Sequence, residues 1–280
     1  MLLDRDELIE QAYFFQAMRE RGAQNLATQD LLGRIREELL STTKLPMAID
    51  FMGAELRLHG VVATAMRKLP HYFTPFQTFV IGEAEREGGR FDLSVGLEIL
   101  EREARYRAGG ATPQGVFLFQ FETLCRNRLG YDKGLDAIAG DPLFDENWKE
   151  WIQTVRRQIG LVDLADLIYV RSEHYQRIRT AAAGQELPPE RPILFGEKEG
   201  KIALANRHKD PLLLFSALER HLGYPTVPRL KDVSHALSPL PALVKRLERL
   251  ELRLKLIEEE GKGGIDLSKF YGGHAPPAVE

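Results

Sequence analysis

The chain is predicted to be mainly α: an irregular multi-helix bundle or short solenoid-like body with one small β-hairpin at about 193–205, followed by a C-terminal amphipathic helix. Three observations carry that expectation. Apolar residues recur at spacings of three and four along most of the chain. Thr74-Pro75, Thr112-Pro113, Asp210-Pro211 and Ser238-Pro239 each place a side-chain acceptor at an N-cap and proline at the first helical position. Gly88-Gly89, Gly109-Gly110, Gly160, Gly184, Gly223 and Gly261 stand where such helices would stop, glycine being the residue that enters the left-handed cap without strain. No fixed-period repeat accompanies the pattern.

In order, 4–21 reads as a helix with Leu8, Ala12, Phe15 and Met18 inward, ended by Gly22. A second covers 28–40 with Leu31, Leu32, Ile35 and Leu39 apolar. A third covers 54–69 and is stopped by Pro70. On it Glu55 and His59 stand four apart, which reads as a bridged surface pair, because a metal site would need further ligands at matching spacing. The stretch 113–126 is apolar nearly all round and is expected to be the central helix, with Glu122 stranded inside it. Residues 145–160 follow, with Trp148, Trp151, Ile152 and Val155 inward and Arg156-Arg157 at the C-terminal end, where cations suit the helix dipole.

From 163 to 183 a further helix is predicted, with Asp163 as N-cap and Leu164, Leu167, Ile168, Tyr175 and Ile178 on one stripe. A short strand over 166–171 competes with it, since LIYV is β-branched and aromatic. After the loop GQELPPERP, residues 193–195 and 201–205 flank GEKEG and read as the hairpin. Residues 212–222 are helical again, and YPTVPRLKDVSHALSP is an extended linker. The body therefore runs over 1–235, with a subdivision near Gly160 as an option, the amphipathic helix over 236–260 and a flexible tail over 261–280.

Arg171 is the chain's main anomaly. It lies in the middle of the 163–183 stripe with His174 at its edge, and an unpaired buried guanidinium is costly, so it needs a carboxylate, a ligand or water. Glu122 is the first candidate partner, being the other charge stranded in apolar sequence. Arg171, His174, Tyr175 and Glu122 are thus the ligand-pocket candidates.

Composition narrows the classes. With 44% hydrophobic and 28% charged residues in 280, wholesale disorder is not expected, and a net charge of -3 gives no global attraction to nucleic acid or anionic lipid. The acidic start MLLDRDELIE lacks a signal-peptide pattern and no apolar run is long enough to span a bilayer, so a cytoplasmic location without membrane contact is expected. The single Cys125 sits in an apolar run and reads as an inert thiol. GEKEGK lacks both the spacing and the Ser or Thr of a phosphate loop, and no Glu-x-x-His, His-Glu-x-x-His, Cys-x-x-Cys or Gly-x-Ser-x-Gly occurs. No catalytic residue, cofactor or metal is expected. Over 201–231 the cations Lys201, Arg207, Lys209, Arg220, Arg229 and Lys231 outnumber Asp210 and Glu219, yet no nucleic-acid reader motif accompanies them.

The partner signal lies further on. Leu240, Leu243, Leu247, Leu250, Leu254 and Ile257 form an a/d seam, with Arg246 and Arg253 at g and Glu251 and Glu258 at e, as parallel in-register pairing requires. Packing in cis against the body is the equal alternative, since isolated helices of this length are marginal in water. The tail carries Ile265, Leu267, Phe270 and Tyr271, either disordered or a docking peptide over 265–271. The expected function is a non-catalytic interaction or assembly protein, a homodimer or a binder of another protein through 240–257. An enzyme or small-ligand-binding protein around Arg171, His174 and Tyr175 is the alternative, and nucleic-acid binding through 201–231 the second alternative.

Overall fold

Apolar periodicity becomes helix throughout the computed structural model, which describes residues 2–22, 28–86, 88–89 and 91–229. The described residues fall in one unit, Met1–Leu230. They form thirteen helices: α1 (Arg5–Gly22), α2 (Thr28–Glu38), α3 (Leu45–His59), α4 (Val62–Arg67), α5 (Pro75–Ala84), α6 (Leu93–Ala108), α7 (Pro113–Arg126), α8 (Tyr131–Ala139), α9 (Glu146–Gln158), α10 (Leu164–Tyr169), α11 (Glu173–Ala183), α12 (Glu197–Ala205) and α13 (Pro211–Leu222). None of these is long and apolar enough to cross a membrane. The predicted seam at 240–257, the helix 236–260, the tail 261–280 and the cap at Ser238-Pro239 lie outside the described residues.

The caps read from sequence are formed. Thr74 accepts from Gln77 N in a full capping box, Thr112 from Gly115 N and Asp210 from Leu212 N, each with proline behind it. Asp145 and Asp163 cap α9 and α10 in the same way. The helix α7 is buried almost all round, as its composition demands. Phe117 packs on Trp151 with ring centroids 4.7 Å apart, Phe121 meets Phe215 at 6.1 Å, and Phe195 meets Trp148 at 5.3 Å and Trp151 at 5.1 Å. One apolar core therefore runs across Gly160. In the N-terminal half α1 packs along α6, and α2 on α3.

Four expectations are corrected. The predicted helix 54–69 is the end of α3 plus α4. Gly60, at φ 71°, takes the left-handed cap and donates to Leu56 O, which stops α3 and lets the chain restart. The predicted hairpin at 193–205 is not formed, because 197–205 is α12. Glu197 and Glu199 sit in its first turn, where carboxylates suit the dipole. Gly200 faces α11 so closely that a Cβ there would stand 2.2 Å from Ser172 Oγ, so this glycine serves helix packing, not a turn. Phe195 keeps only an isolated parallel bridge to Ser172.

The predicted single helix 163–183 is two helices. Leu194 N and Phe195 N both donate to Arg171 O, and Ser172 caps α11, so the hydrogen-bond ladder breaks at 170–172 and the proposed stripe with it. Finally, the start of the predicted linker is body. Tyr224 and Val227 are buried.

Candidate functional site

The four sequence candidates do not converge. Glu122 is fully buried on α7 and pairs with Arg126, one turn along its own helix, while Tyr224 Oη lies 2.9 Å from Glu122 Oε2 and 3.0 Å from Phe215 O, its one proton serving two acceptors. Burial, with the Glu122 charge beside it, pushes the Tyr224 phenol up. Arg171 is also buried, but its Nη1 donates to Pro192 O at 3.1 Å. Burial and the nearby Arg191 pull its pKa down, against a weaker pull from Glu150. The Arg171–Glu122 pair is therefore not formed. A main-chain carbonyl meets one misfit, and an i,i+4 arginine with a tyrosine meets the other. His174 is buried against the Tyr169 ring, centroids 6.2 Å apart, with Nδ1 unbonded among the described residues. Tyr175 alone lines a hollow, one of about 220 Å³ shared with Arg179, Glu190 and Arg191.

The largest concavity among the described pockets lies elsewhere. The C-terminal half of α7 (Phe121, Cys125), Tyr131 of α8, Val155 at the end of α9, the 159–163 turn, Leu164 and Leu167 of α10, and Leu212 and Phe215 of α13 enclose about 570 Å³ of mostly apolar space. Two of its polar groups are electrically silent at ordinary pH. Burial pushes the Cys125 thiol up to about 11 and the Tyr131 phenol up to about 12. The acids at its edge are engaged, Asp163 and Asp210 as helix caps and Glu122 behind it by Arg126.

The rim continues the apolar surface outward. Leu161 is 85% exposed, and Val162 and Leu212, which line the same groove, are exposed with it. Leu161 is not a loose end. Gly160, at φ 83°, turns the chain, and Leu161 N and Val162 N both donate to Gln158 O at 2.9 and 3.0 Å, which holds the backbone of the turn. Leaving a leucine in water forgoes roughly 1.5–3 kcal/mol of burial, so a rigid turn that presents one needs a reason other than stability.

A second polar cluster fixes one wall of this groove. A carboxylate oxygen from each of Asp163 and Asp166 and a ring nitrogen of His208 lie within 4.8 Å of one another, a donor set that could take a cation. Protein donors already use it. Asp166 pairs with Arg207, and Asp163 accepts from Ala165 N at 3.0 Å and His208 N at 2.8 Å. Its visible work is to latch α10 to the 206–210 turn that leads into α13. The cations Lys201 and Arg207 of the basic 201–231 stretch are likewise paired, with Glu197 and Asp166. Glu55 pairs with Lys68 Nζ at 2.5 Å, and the side chain of His59 lies outside the described residues.

Away from the groove, α6, α7 and the segment after α8 are joined by a buried network. Arg107 bridges Glu103, at 2.8 Å, and Asp141, and Gln120 Nε2 donates to Glu103 at 2.6 Å. Burial pushes the Glu103 carboxyl up. Burial also opposes the charge on Arg107, but the Glu103 and Asp141 carboxylates outweigh it and hold the guanidinium firmly protonated.

No family model, curated protein or solved structure matches the chain, so the functional reading rests on its own residues. The groove was missed because its walls come from segments far apart in sequence. The available signals were Leu161-Val162 directly after a turn glycine and the run Leu212-Leu213-Leu214-Phe215, which is too apolar for a helix with one inward face.

Proposed function

We propose that this protein is a non-catalytic interaction protein whose α7–α9–α10–α13 groove takes an apolar segment of a protein partner. The observation that carries the reading is the 85% exposed Leu161, on a hydrogen-bonded turn at the lip of an apolar groove of about 570 Å³. A small enclosed ligand would be covered by the groove itself. Leu161 and Leu212 carry the apolar surface beyond the groove itself, as suits a helix or strand of another chain. An enzyme centred on Arg171 gains no support, since Arg171 and His174 are buried and neither lines the hollow at Tyr175. Two further parts of the reading rest on sequence: self-association through Leu240–Ile257 and docking through 265–271.

The first test is a titration with the apolar fluorophore anilinonaphthalene sulfonate. The folded chain should bind it saturably at one dominant site, and Leu212→Glu should abolish that site while leaving the helical circular dichroism unchanged. Absence of saturable binding, or binding indifferent to Leu212→Glu, would overturn the groove as an accessible apolar site.

A further inference from the structure

The helix α3 carries two apolar faces. Leu45, Ala48, Ile49, Met52 and Leu56 are buried against the body. On the other side Met47, Phe51, Ala54 and Leu58 follow one another at spacings of four, three and four, and all are exposed: Met47 by 69%, Phe51 by 36% and Leu58 by 75%. At 3.6 residues per turn these four lie within an arc of about 60°, centred about 145° from the middle of the buried face. That is an a/d seam three turns long, open at Met47 and Leu58 and partly covered at Phe51.

The geometry points to a second copy of this chain as the occupant, through an antiparallel α3–α3′ pair on a two-fold axis. The seam is complementary to its own reverse. When two copies cross so that the midpoint between Met52 and Gly53 falls on the axis, Phe51, the bulkiest residue of the seam, meets Ala54 of the other copy, the smallest, and Met47 meets Leu58. One flank of the seam carries Asp50 and Arg57, the g positions that face each other in an antiparallel pair, and the reversal sets the acid of each copy beside the arginine of the other. Asp50 is held by Arg36 through Oδ1 at 2.6 Å, which leaves its second oxygen for that contact. A parallel pair would instead stack Phe51 on Phe51 and set Asp50, a g position, beside Glu55 of the other copy at e, acid against acid. Size and charge thus select both the partner and its direction. Three turns of one helix per copy make a small interface, so the dimer is concentration-dependent and in the weak, transient class. This surface is independent of the groove and of the 240–257 seam.

The test is heterotypic disulfide trapping in the full chain. Phe51→Cys and Ala54→Cys are made separately in a Cys125→Ser background, one of them enlarged by a tag, and oxidised alone and mixed. The antiparallel pair brings residue 51 level with residue 54 of the other copy, within disulfide reach, and offsets each residue from its own mate along the axis. The mixed, tagged-plus-untagged covalent dimer should therefore form at least several-fold faster than either self-linked dimer. Sedimentation of Leu58→Glu, an exposed position that leaves the body folded, should show at least a tenfold weaker dimer than the unmodified chain. Self-linked dimers that form as fast as the mixed one, or an association unchanged by Leu58→Glu, would overturn the proposal. A dimer broken by Leu247→Glu/Leu250→Glu and untouched by Leu58→Glu would overturn it likewise.

Discussion

Replacing Arg107 with methionine removes one cation from between two fully buried carboxylates, Glu103 and Asp141, and leaves the space filled. Breaking a buried pair in this way costs ~3–5 kcal/mol, because the remaining charges have no solvent to return to. Against a total stability of about 5–15 kcal/mol that is a large share, and at roughly 2–4 °C per kcal/mol for a body of this size the midpoint should fall by about 6–20 °C. The loss should depend on pH with a definite sign. Burial already pushes the Glu103 carboxyl up, and losing the Arg107 charge that opposes this raises it further above its unfolded value, so the folded state holds more protons. The deficit is then smallest at acid pH, near the unfolded carboxylate range, and grows as pH rises, by up to ~1.4 kcal/mol per pH step until the folded pKa of Glu103 is passed. Urea unfolding followed by the buried Trp148 and Trp151 at pH 5 and pH 8 reads both quantities. Adding Glu103→Gln and Asp141→Asn to Arg107→Met should recover part of the loss and flatten its pH dependence. A loss below about 1 kcal/mol, or one no larger at pH 8 than at pH 5, would refute the argument that this cluster is a charge-compensated clamp on α6 and α7.

The exposed Glu38 is held at about 2 by Arg21 and by the Tyr13 hydroxyl, so its contribution to stability is present above the ordinary carboxylate range and is lost as pH falls through about 2. Glu38→Gln should accordingly flatten the acid limb of a pH–melting curve between those limits and leave the neutral limb's shape unchanged. Gly200→Ala would drive a Cβ to 2.2 Å from Ser172 Oγ and 2.7 Å from His174 Cβ, and should lower stability by ~1–3 kcal/mol in a denaturant titration, where a surface glycine would show no loss. Leu247→Glu/Leu250→Glu tests the 240–257 seam by sedimentation. Trans pairing predicts loss of a dimer with the body's helicity kept, cis packing predicts destabilised body helices.

Where a segment's structure is decided within itself, the sequence was readable. Thr74-Pro75, Thr112-Pro113 and Asp210-Pro211 begin helices because cap and proline act on their own backbone. The helices α7 and α9 follow from apolar composition and from the spacing of Trp148, Trp151, Ile152 and Val155. Illegible elements are those decided by a partner from elsewhere. GEKEG flanked by β-formers reads as a turn until Gly200 is seen against Ser172 and His174. The break at 170–172 is set by Leu194 and Phe195 donating to Arg171 O, which no local pattern announces. The Arg171–Glu122 pairing failed for a related reason. A stranded charge demands a partner, but the sequence does not say that a carbonyl at Pro192 or a tyrosine at 224 supplies it. The groove is the extreme case, a concavity that exists only between elements, betrayed in sequence only by leucines such as Leu161 with no inward role.

The groove's use by a protein partner is tested most directly by placing the photo-crosslinker benzoylphenylalanine at position 161 in the full chain expressed in cells, with position 146 at the far, exposed end of α9 as control. Illumination should give a discrete protein adduct at 161 and not at 146, mass spectrometry should place the link on an apolar segment of the partner, and Leu212→Glu should remove the adduct. Equal labelling at both positions, adducts with small molecules or lipid alone, or an adduct indifferent to Leu212→Glu would contradict it.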